Sequence, residues 1–402
     1  MYATLSIFAL FVFFYSILSG LLEKTPISGA IIFTAFGLVF GPIGLGMIGL
    51  HVEIEILHTL AELTLAILLF SDAANANLRV LKRNIIIPRR LLLVGLPLTI
   101  LLGYVAGILV FENLSLLEVA ILATMLAPTD AALGKAVISN DKVPASIRES
   151  LNVESGLNDG ICVPILFILL ALATGGAEHE SAATLALTLV AEEIGIGVVV
   201  GGGLTILAAK LLRLCVNRGW VTETWSQLPV VTMALACFGV AQWLGGSGFI
   251  ASFTGGLVFG SIAKEHKHKL LLAAEGTGDT LALITWVVFG ALVIGQSIDS
   301  FSWHIVFYSL LSLTIIRMLP AFLVLTGENI RTDEKLFIGW FGPRGLASIV
   351  FALIVIKEQL PGGDTLAMTV ACTVILSILG HGLSANRLIA ILIARIGRAK
   401  PL

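Results

Sequence analysis

The feature that most limits the fold of this chain is a succession of about thirteen apolar segments, each near the length of roughly 20 residues that a helix needs to cross a membrane. Only 12% of the 402 residues are charged, about half the share of an ordinary soluble domain. We therefore expect an all-α polytopic membrane protein with about thirteen transmembrane helices.

The basic residues predict how these helices are oriented. With the N-terminus outside, the loops expected on the cytoplasmic side contain every one of the 24 Lys and Arg residues except Lys357, Arg317 and Arg344. Cytoplasmic loops carry such an excess of positive charge. An odd number of helices, with the C-terminus in the cytoplasm, is the interpretation that preserves this bias.

Two of the predicted helices, the fifth and the twelfth, are interrupted by proline. One contains Ala127-Pro128-Thr129-Asp130 and the other Gly342-Pro343-Arg344-Gly345. Proline removes a helix hydrogen bond and frees backbone groups, which membranes tolerate only where they are buried in protein or line a cavity. Two such breaks predict a substrate site at mid-membrane depth.

The breaks also predict an internal repeat. Placing Pro128 over Pro343 lays the first six predicted helices over the last six, with one helix between them. Because that single helix crosses the membrane once, the two units have opposite orientations, as in alternating-access carriers. We expect a single transmembrane transporter domain over residues 1–402, made of a first inverted repeat (1–176), a linker helix (177–224) and a second inverted repeat (225–402).

Charged side chains inside apolar segments mark the candidate site, because each costs roughly 2.5 to 3.5 kcal/mol at the centre of a membrane helix. These residues are Asp72, Asp130, Glu154, Asp159, Asp279, Arg317 and Arg344. The densest cluster is Glu154-Ser155-Gly156-Leu157-Asn158-Asp159, which we expect to interrupt the sixth helix. On a helical face, Ser155 and Asp159 lie one turn apart. Together with Thr129 and Asp130 they offer enough hard oxygen donors for a small monovalent cation. Glu154 either pairs with an intramembrane arginine or contacts the ion.

These motifs resemble those of NhaP-type sodium/proton antiporters, relatives of the eukaryotic sodium/hydrogen exchangers. The resemblance rests on Thr129-Asp130 in a broken helix and on the cluster from Glu154 to Asp159. It also includes Leu69-Phe70-Ser71-Asp72 and Gly342-Pro343-Arg344-Gly345, and so spans nearly the whole chain.

The resemblance implies a role for each site residue. Asp159 would exchange Na⁺ for H⁺, with Asp130, Thr129 and Ser155 in the Na⁺ coordination sphere. Asn158 would hold the two broken helices together or orient Asp159. Glu154 would pair with Arg317, with Arg344 as the alternative. Asp72 and Asp279 are further intramembrane charges, and the role of Asp279 is open between a pore-facing and a packing carboxylate.

Three other functions compete with Na⁺ (or Li⁺)/H⁺ antiport. A K⁺/H⁺ antiporter could carry the same motif. A cation channel is disfavoured because no filter of carbonyl rings is evident. An intramembrane aspartyl protease is suggested by Gly276-Thr277-Gly278-Asp279, but the chain has no Tyr-Asp pair, and Pro320-Ala321 is followed by Phe322.

Further expectations concern partners and surroundings. We expect a multi-pass protein of the cell membrane that serves pH and sodium homeostasis, forms a homodimer and contacts lipid. We expect no cofactor beyond the transported Na⁺ or Li⁺ and H⁺, no nucleic acid and no obligate soluble partner. His381, followed by Gly382, is expected to end a helical segment rather than to sense pH.

The amide of Asn158 generates a prediction about stoichiometry. In electrogenic relatives two adjacent aspartates occupy the place of Asn158-Asp159, whereas here only one of the two residues can titrate. We expect one cation to exchange for one proton, so that a membrane potential performs no work on the cycle. A valinomycin-clamped potential across proteoliposomes should leave the initial exchange rate unchanged. A potential of about 100 mV acts on a moved elementary charge with about 2.3 kcal/mol, so a shift of the Na⁺/H⁺ reversal point at that potential would show electrogenic exchange.

Overall fold

The computed structural model describes most of the chain, namely residues 2–22, 25, 29–42, 44–47, 54–75, 86–130, 133–138, 140–174, 180–222, 224–263, 267–293, 301–328 and 330–399. Within these ranges all regular secondary structure is helical. Some of the basic residues that predict the orientation lie outside the described residues: Lys24, Arg79, Lys82, Arg83, Lys264 and Lys400.

The described residues of the first half form eight helical segments. They are α1 (Tyr2–Leu22), α2 (Gly29–Phe40), α3 (Ile54–Asn75), α4 (Ile86–Val110), α5 (Leu116–Met125), the single turn α6 (Lys135–Ile138), α7 (Ala145–Thr174) and α8 (Glu180–Asn217). The start of α5 shows the local logic, because Ser115 and Glu118 form a capping box that satisfies two of its first amides.

In the described part of the second half, seven more α-helices follow the short 3-10 turn Trp225–Gln227. They are α9 (Leu228–Trp243), α10 (Gly248–Ala263), α11 (Lys267–Val288, continued by the π-helical turn Phe289–Val293), α12 (Trp303–Val324), α13 (Thr332–Trp340), α14 (Leu346–Lys357) and α15 (Gly363–Ala399). Counting α5 with α6 and α13 with α14 as one crossing each, the described segments correspond to the thirteen predicted helices.

The apolar helices confirm a polytopic membrane protein. Six helical stretches of the described chain are long and apolar enough to cross a membrane: Ile86–Val110, Ala145–Thr174, Ala191–Asn217, Leu270–Ala291, Trp303–Val324 and Gly363–Ile396. Shorter apolar helices accompany them, including the halves α5 and α14 of the interrupted crossings. The boundaries of the two inverted repeats and of the linker stay a prediction.

Both proline breaks lie where the sequence predicts them. The helix α5 ends at Met125 and α6 begins at Lys135, while α13 ends at Trp340 and α14 begins at Leu346. The two non-helical segments meet, because the Asp130 amide donates a hydrogen bond of 2.8 Å to the Pro343 carbonyl.

Two sequence-based expectations about helix ends are wrong. The helix α7 runs without interruption through the polar stretch from Glu154 to Asp159, because its polar side chains find partners on other segments and leave the helical backbone bonds intact. His381 lies in the interior of α15 and does not end it, because its ring bonds to a neighbouring segment and Gly382 remains helical.

Close contacts between helix backbones depend on glycine at a few positions. In α8, the Cα of Gly201 packs against the Ala251 carbonyl of α10 with no room for a side chain, whereas Gly203 of the same helix faces open space. Small residues allow membrane helices to approach this closely. Within the run Gly201-Gly202-Gly203, Gly201 therefore serves helix packing.

This contact generates a paired prediction. Gly201→Ala should lower the midpoint of thermal unfolding in detergent, because the new methyl group must displace the Ala251 backbone. Gly203→Ala should leave the midpoint unchanged or raise it, since alanine favours a helix interior over glycine by about 1 kcal/mol. Equal midpoints for the two variants in a fluorescence-based melting assay would contradict the packing interpretation.

Candidate functional site at the two helix breaks

Asp130 lies where the two interrupted helices cross. Its backbone amide donates to Pro343, and its carboxylate accepts hydrogen bonds from the amides of Leu133 (3.1 Å) and Leu346 (2.9 Å). Leu346 is the first residue of α14, and the N-terminus of a helix carries partial positive charge. Asp130 therefore caps α14 from a distant part of the chain and fixes one break against the other.

The Cα of Gly345 packs directly on this carboxylate, and the Asp130 side chain fills the space that a Cβ would need. A glycine is required here for a physical reason, since any larger residue would push the carboxylate away from the start of α14.

The first break is fastened to α7 through Thr129. The Asn158 amide donates to the Thr129 hydroxyl (2.7 Å), and the Ser155 hydroxyl donates to the Thr129 carbonyl (2.5 Å). All three side chains are buried. Asn158 thus holds α7 to the first break, and among the described residues it has no hydrogen bond to the second break.

Asp159 and Asn158 each present an oxygen without a hydrogen-bond partner among the described residues. These atoms are Oδ1 of Asp159 and Oδ1 of Asn158, and both are buried. Buried polar atoms in native proteins nearly always have a partner, and an uncompensated carboxylate oxygen is costly. The pair therefore forms a site with the chemistry to accept a proton or a cation.

Asp159 lines a cavity of about 620 Å³ between α3 and α11 on one side and α7 and α14 on the other. Five carboxylates reach it: Asp72, Asp130, Asp159, Glu275 and Asp279. A cleft lined by charge of one sign concentrates counter-ions. Asp279 is exposed and contributes to this lining.

Glu154 forms a buried bidentate ion pair with Arg317 of α12. Its two carboxylate oxygens accept hydrogen bonds of 2.5 and 2.8 Å from the guanidinium, and the two side chains are 3% and 4% exposed. The guanidinium also packs against the Cα of Gly342. Of the two candidate arginines, the structure thus brings Arg317 to Glu154.

Arg344 occupies a different place, inside the second break. It is fully buried, its Nη1 donates to the Gly342 carbonyl (3.1 Å), and its backbone amide donates to the Ser377 hydroxyl (2.7 Å). Its Nε and Nη2 have no hydrogen-bond partner in the described part of the chain. Both arginines therefore contact Gly342, and Arg317 is the one that forms the ion pair with Glu154.

A second cavity of about 420 Å³ lies at the other end of the same two helices. Its lining includes Phe167 of α7, Ile354 of α14 and the charged residues Glu62, Glu193, Lys357 and Glu358. Between Asp159 and Phe167, α7 carries only apolar residues and Gly160, and Leu166 packs there fully buried. This conformation therefore opens the aspartates to one cavity and separates them from the other.

Interrupted helices that cross beside buried carboxylates define the class of secondary membrane transporters. A family model described as sodium/hydrogen exchanger, transmembrane, matches residues 9–390. The chain belongs to this sodium/hydrogen exchanger family.

Several proteins resemble the chain over most of its length. It is 25% identical over 364 residues to a probable Na⁺/H⁺ antiporter of Schizosaccharomyces pombe, covering 84% of this chain and 46% of that protein. It is 27% identical over 372 residues to the Na⁺/H⁺ antiporter ApNhaP of Aphanothece halophytica, covering 86% and 67%. It is 24% identical over 369 residues to the K⁺/H⁺ antiporter NhaP2 of a Shewanella species, covering 92% and 63%. The chain thus spans between 46% and 67% of these relatives.

A solved structure shows the same fold. The sodium proton antiporter MjNhaP1 of Methanocaldococcus jannaschii superimposes with a TM-score of 0.77 and 20% sequence identity, covering 94% of this chain and 98% of that one. At this identity the likeness establishes the fold alone.

The ion pair generates a prediction about stability. Removing one member of a buried pair strands the other charge, which typically costs about 3 to 5 kcal/mol. Glu154→Ala and Arg317→Ala should each lower the unfolding midpoint in detergent more than they change Na⁺ affinity. The double variant should recover part of the loss, because no charge is then stranded.

Arg344→Ala combined with Glu154→Ala is the matched control for this cycle. The Arg344 pair should show a smaller coupling than the Arg317 pair, since the structure gives Arg344 a carbonyl partner instead of a carboxylate. Strictly additive losses for Glu154 and Arg317 would show that the two residues are not energetic partners.

Proposed function

We propose that this protein is a secondary antiporter that exchanges Na⁺ or Li⁺ for H⁺ across the cell membrane by alternating access. The observation that carries the proposal is the buried Asp159 Oδ1, without a partner in the described chain, beside the crossing held by Asp130. The sodium/hydrogen exchanger family and the antiporter relatives support it.

The proposed cation ligands are oxygens of Asp159, Asp130, Thr129 and Ser155, all of which the breaks and α7 bring together. Hard oxygen donors suit small hard cations. The hydrogen bond from Asn158 holds Thr129 of the first break against α7. A cation at Asp159 would therefore contact both the first break and α7. Asp72 and Asp279 then line the approach from the acidic cavity.

The exchange itself follows from a single carboxylate serving two ions. A proton on Asp159 removes the charge that attracts a cation, and a bound cation excludes the proton. The two cavities at opposite ends of α7 and α14 give the path its two openings, of which this conformation connects one to the aspartates. Movement of α7 and α14 against α3 and α11 would expose Asp159 to the other side.

A K⁺/H⁺ antiporter is the second candidate, because the Shewanella relative of similar likeness is a K⁺/H⁺ antiporter. Titration of a pH dye in proteoliposomes with Na⁺, Li⁺ and K⁺ distinguishes the two. Tracer flux in the absence of a proton gradient separates an antiporter from a channel, since a channel needs no proton moving in the opposite direction.

We further propose a multi-pass homodimer in the cell membrane, with the N-terminus outside and the C-terminus in the cytoplasm, that contributes to pH and sodium homeostasis. The distribution of basic residues supports the orientation. Exchange of one cation for one proton remains our expectation for the stoichiometry.

Competition at Asp159 generates a prediction about pH. The apparent KM for Na⁺ should rise as the pH falls, approaching roughly tenfold per pH unit where the carboxyl is largely protonated, because one proton then competes with one cation. Asp159→Asn should abolish Na⁺-driven proton flux in dye-loaded vesicles without lowering the unfolding midpoint greatly.

Asp364→Asn provides the matched control, since it makes the same change at an exposed position in the first turn of α15. It should retain wild-type flux and wild-type pH dependence. Substantial Na⁺-driven proton flux in Asp159→Asn vesicles would refute the assignment of Asp159.

A further inference from the structure

The second helix break is held by two residues of α15 to which the proposed transport cycle assigns no role. His381 is 3% exposed, and its Nε2 lies 2.8 Å from the carbonyl oxygen of Trp340, the last residue of α13. Its ring also stacks on the Trp340 ring, with the centroids 5.1 Å apart at 28°. Since a carbonyl oxygen only accepts, Nε2 carries the proton of this bond.

Ser377, one helical turn earlier, holds the other end of the same break. Its hydroxyl oxygen accepts the hydrogen bond from the Arg344 amide (2.7 Å) and lies 3.3 Å from Nδ1 of His381. Nδ1 also lies 2.8 Å from the Ser377 carbonyl oxygen, so Ser377 meets this ring nitrogen with both of its oxygens. We call Ser377 and His381 the α15 brace.

The α15 brace mirrors the fastening of the first break. There, Ser155 and Asn158 of α7 bond to the carbonyl and hydroxyl of Thr129. In each half, the helix that comes after the interrupted crossing, α7 or α15, supplies a serine and a second polar residue within about one turn. Freed backbone groups in a membrane protein need such partners.

The segment held by the α15 brace is the one that positions Asp130. The brace bonds to the carbonyl of Trp340 and the amide of Arg344, and between these lies Pro343, whose carbonyl accepts from the Asp130 amide. Two residues after Arg344, the Leu346 amide donates to the Asp130 carboxylate. The short backbone segment from residue 340 to 346 is therefore hydrogen-bonded to the α15 brace and also to Asp130, and so it links His381 to Asp130.

We propose that His381 and Ser377 are positioning residues for cation binding, which act by holding the second break so that Leu346 and Pro343 fix Asp130. This inference rests on the proposed function, since it assigns Asp130 to the cation site. His381 acts here through the hydrogen bond of Nε2 and not through a change of its own protonation.

Two variants at one position separate the hydrogen bond from the packing of the ring. His381→Gln keeps a side-chain amide donor at about the reach of Nε2, whereas His381→Phe keeps an aromatic ring against Trp340 and loses the donor. In proteoliposomes, His381→Phe should raise the apparent KM for Na⁺ by about tenfold, the scale of one lost buried hydrogen bond, with little change in maximal rate. His381→Gln should remain within about threefold of wild type, with an unchanged pH profile.

Hydrogen exchange provides a measurement that does not depend on transport. Amides of residues 341–346, apart from Pro343, which has no amide hydrogen, should exchange faster in His381→Phe than in wild type, while His381→Gln keeps them protected. Ser377→Ala should expose the Arg344 amide in the same experiment, and it serves as the second variant if His381→Phe folds poorly.

The outcomes distinguish the two proposals. If wild-type protein shows no cation-driven proton flux with Na⁺, Li⁺ or K⁺, the proposed function fails, while hydrogen exchange still tests the brace. Unchanged protection of 341–346 in His381→Phe and Ser377→Ala would overturn the brace. Equal losses of affinity in the Gln and Phe variants, or a shifted pH profile in His381→Gln, would overturn the positioning role.

Discussion

The structure depends on one constraint, which is that backbone groups freed inside a membrane must find partners within the protein. Two proline breaks free such groups at Thr129 and at Pro343. The two breaks satisfy part of each other's hydrogen bonding. Asp130, in the first break, donates its amide to the Pro343 carbonyl of the second break, and its carboxylate accepts from the Leu346 amide at the start of α14. The helices that follow, α7 and α15, supply the remaining partners. The two places where the helices are interrupted are thus held by hydrogen bonds from other segments.

The same bonds give the two aspartates different roles. Both carboxylate oxygens of Asp130 accept backbone hydrogen bonds, so its negative charge is held by the fold. Asp159 has a buried oxygen with no such partner among the described residues. Glu154, in the same stretch of α7, is neutralised by Arg317. Of the three acidic side chains, Asp159 is therefore the one with a buried oxygen that no described residue satisfies, which is why we propose it as the carrier of the exchanged ion.

Particular residues show how far sequence reasoning reached. The breaks at Pro128 and Pro343 were predictable because proline disrupts a helix at its own position. The thirteen crossings were predictable because the length of each apolar segment can be counted in the sequence. The interruption of the sixth helix was wrong, since polar residues of α7 take partners from distant segments. His381 was also misjudged, because its bond to Trp340 joins residues 41 positions apart and leaves no local pattern.

The sequence by itself determined the class of fold, the two breaks and the set of costly charges, because helix length, proline chemistry and the price of a charge in lipid are properties of short segments. Only the tertiary structure decided how those charges pair. It brought Glu154 to Arg317 rather than Arg344, placed Asp130 at the start of α14, and set Ser377 and His381 against the second break. Pairing depends on the distance between side chains far apart in the chain, and that distance exists only once the helices have packed.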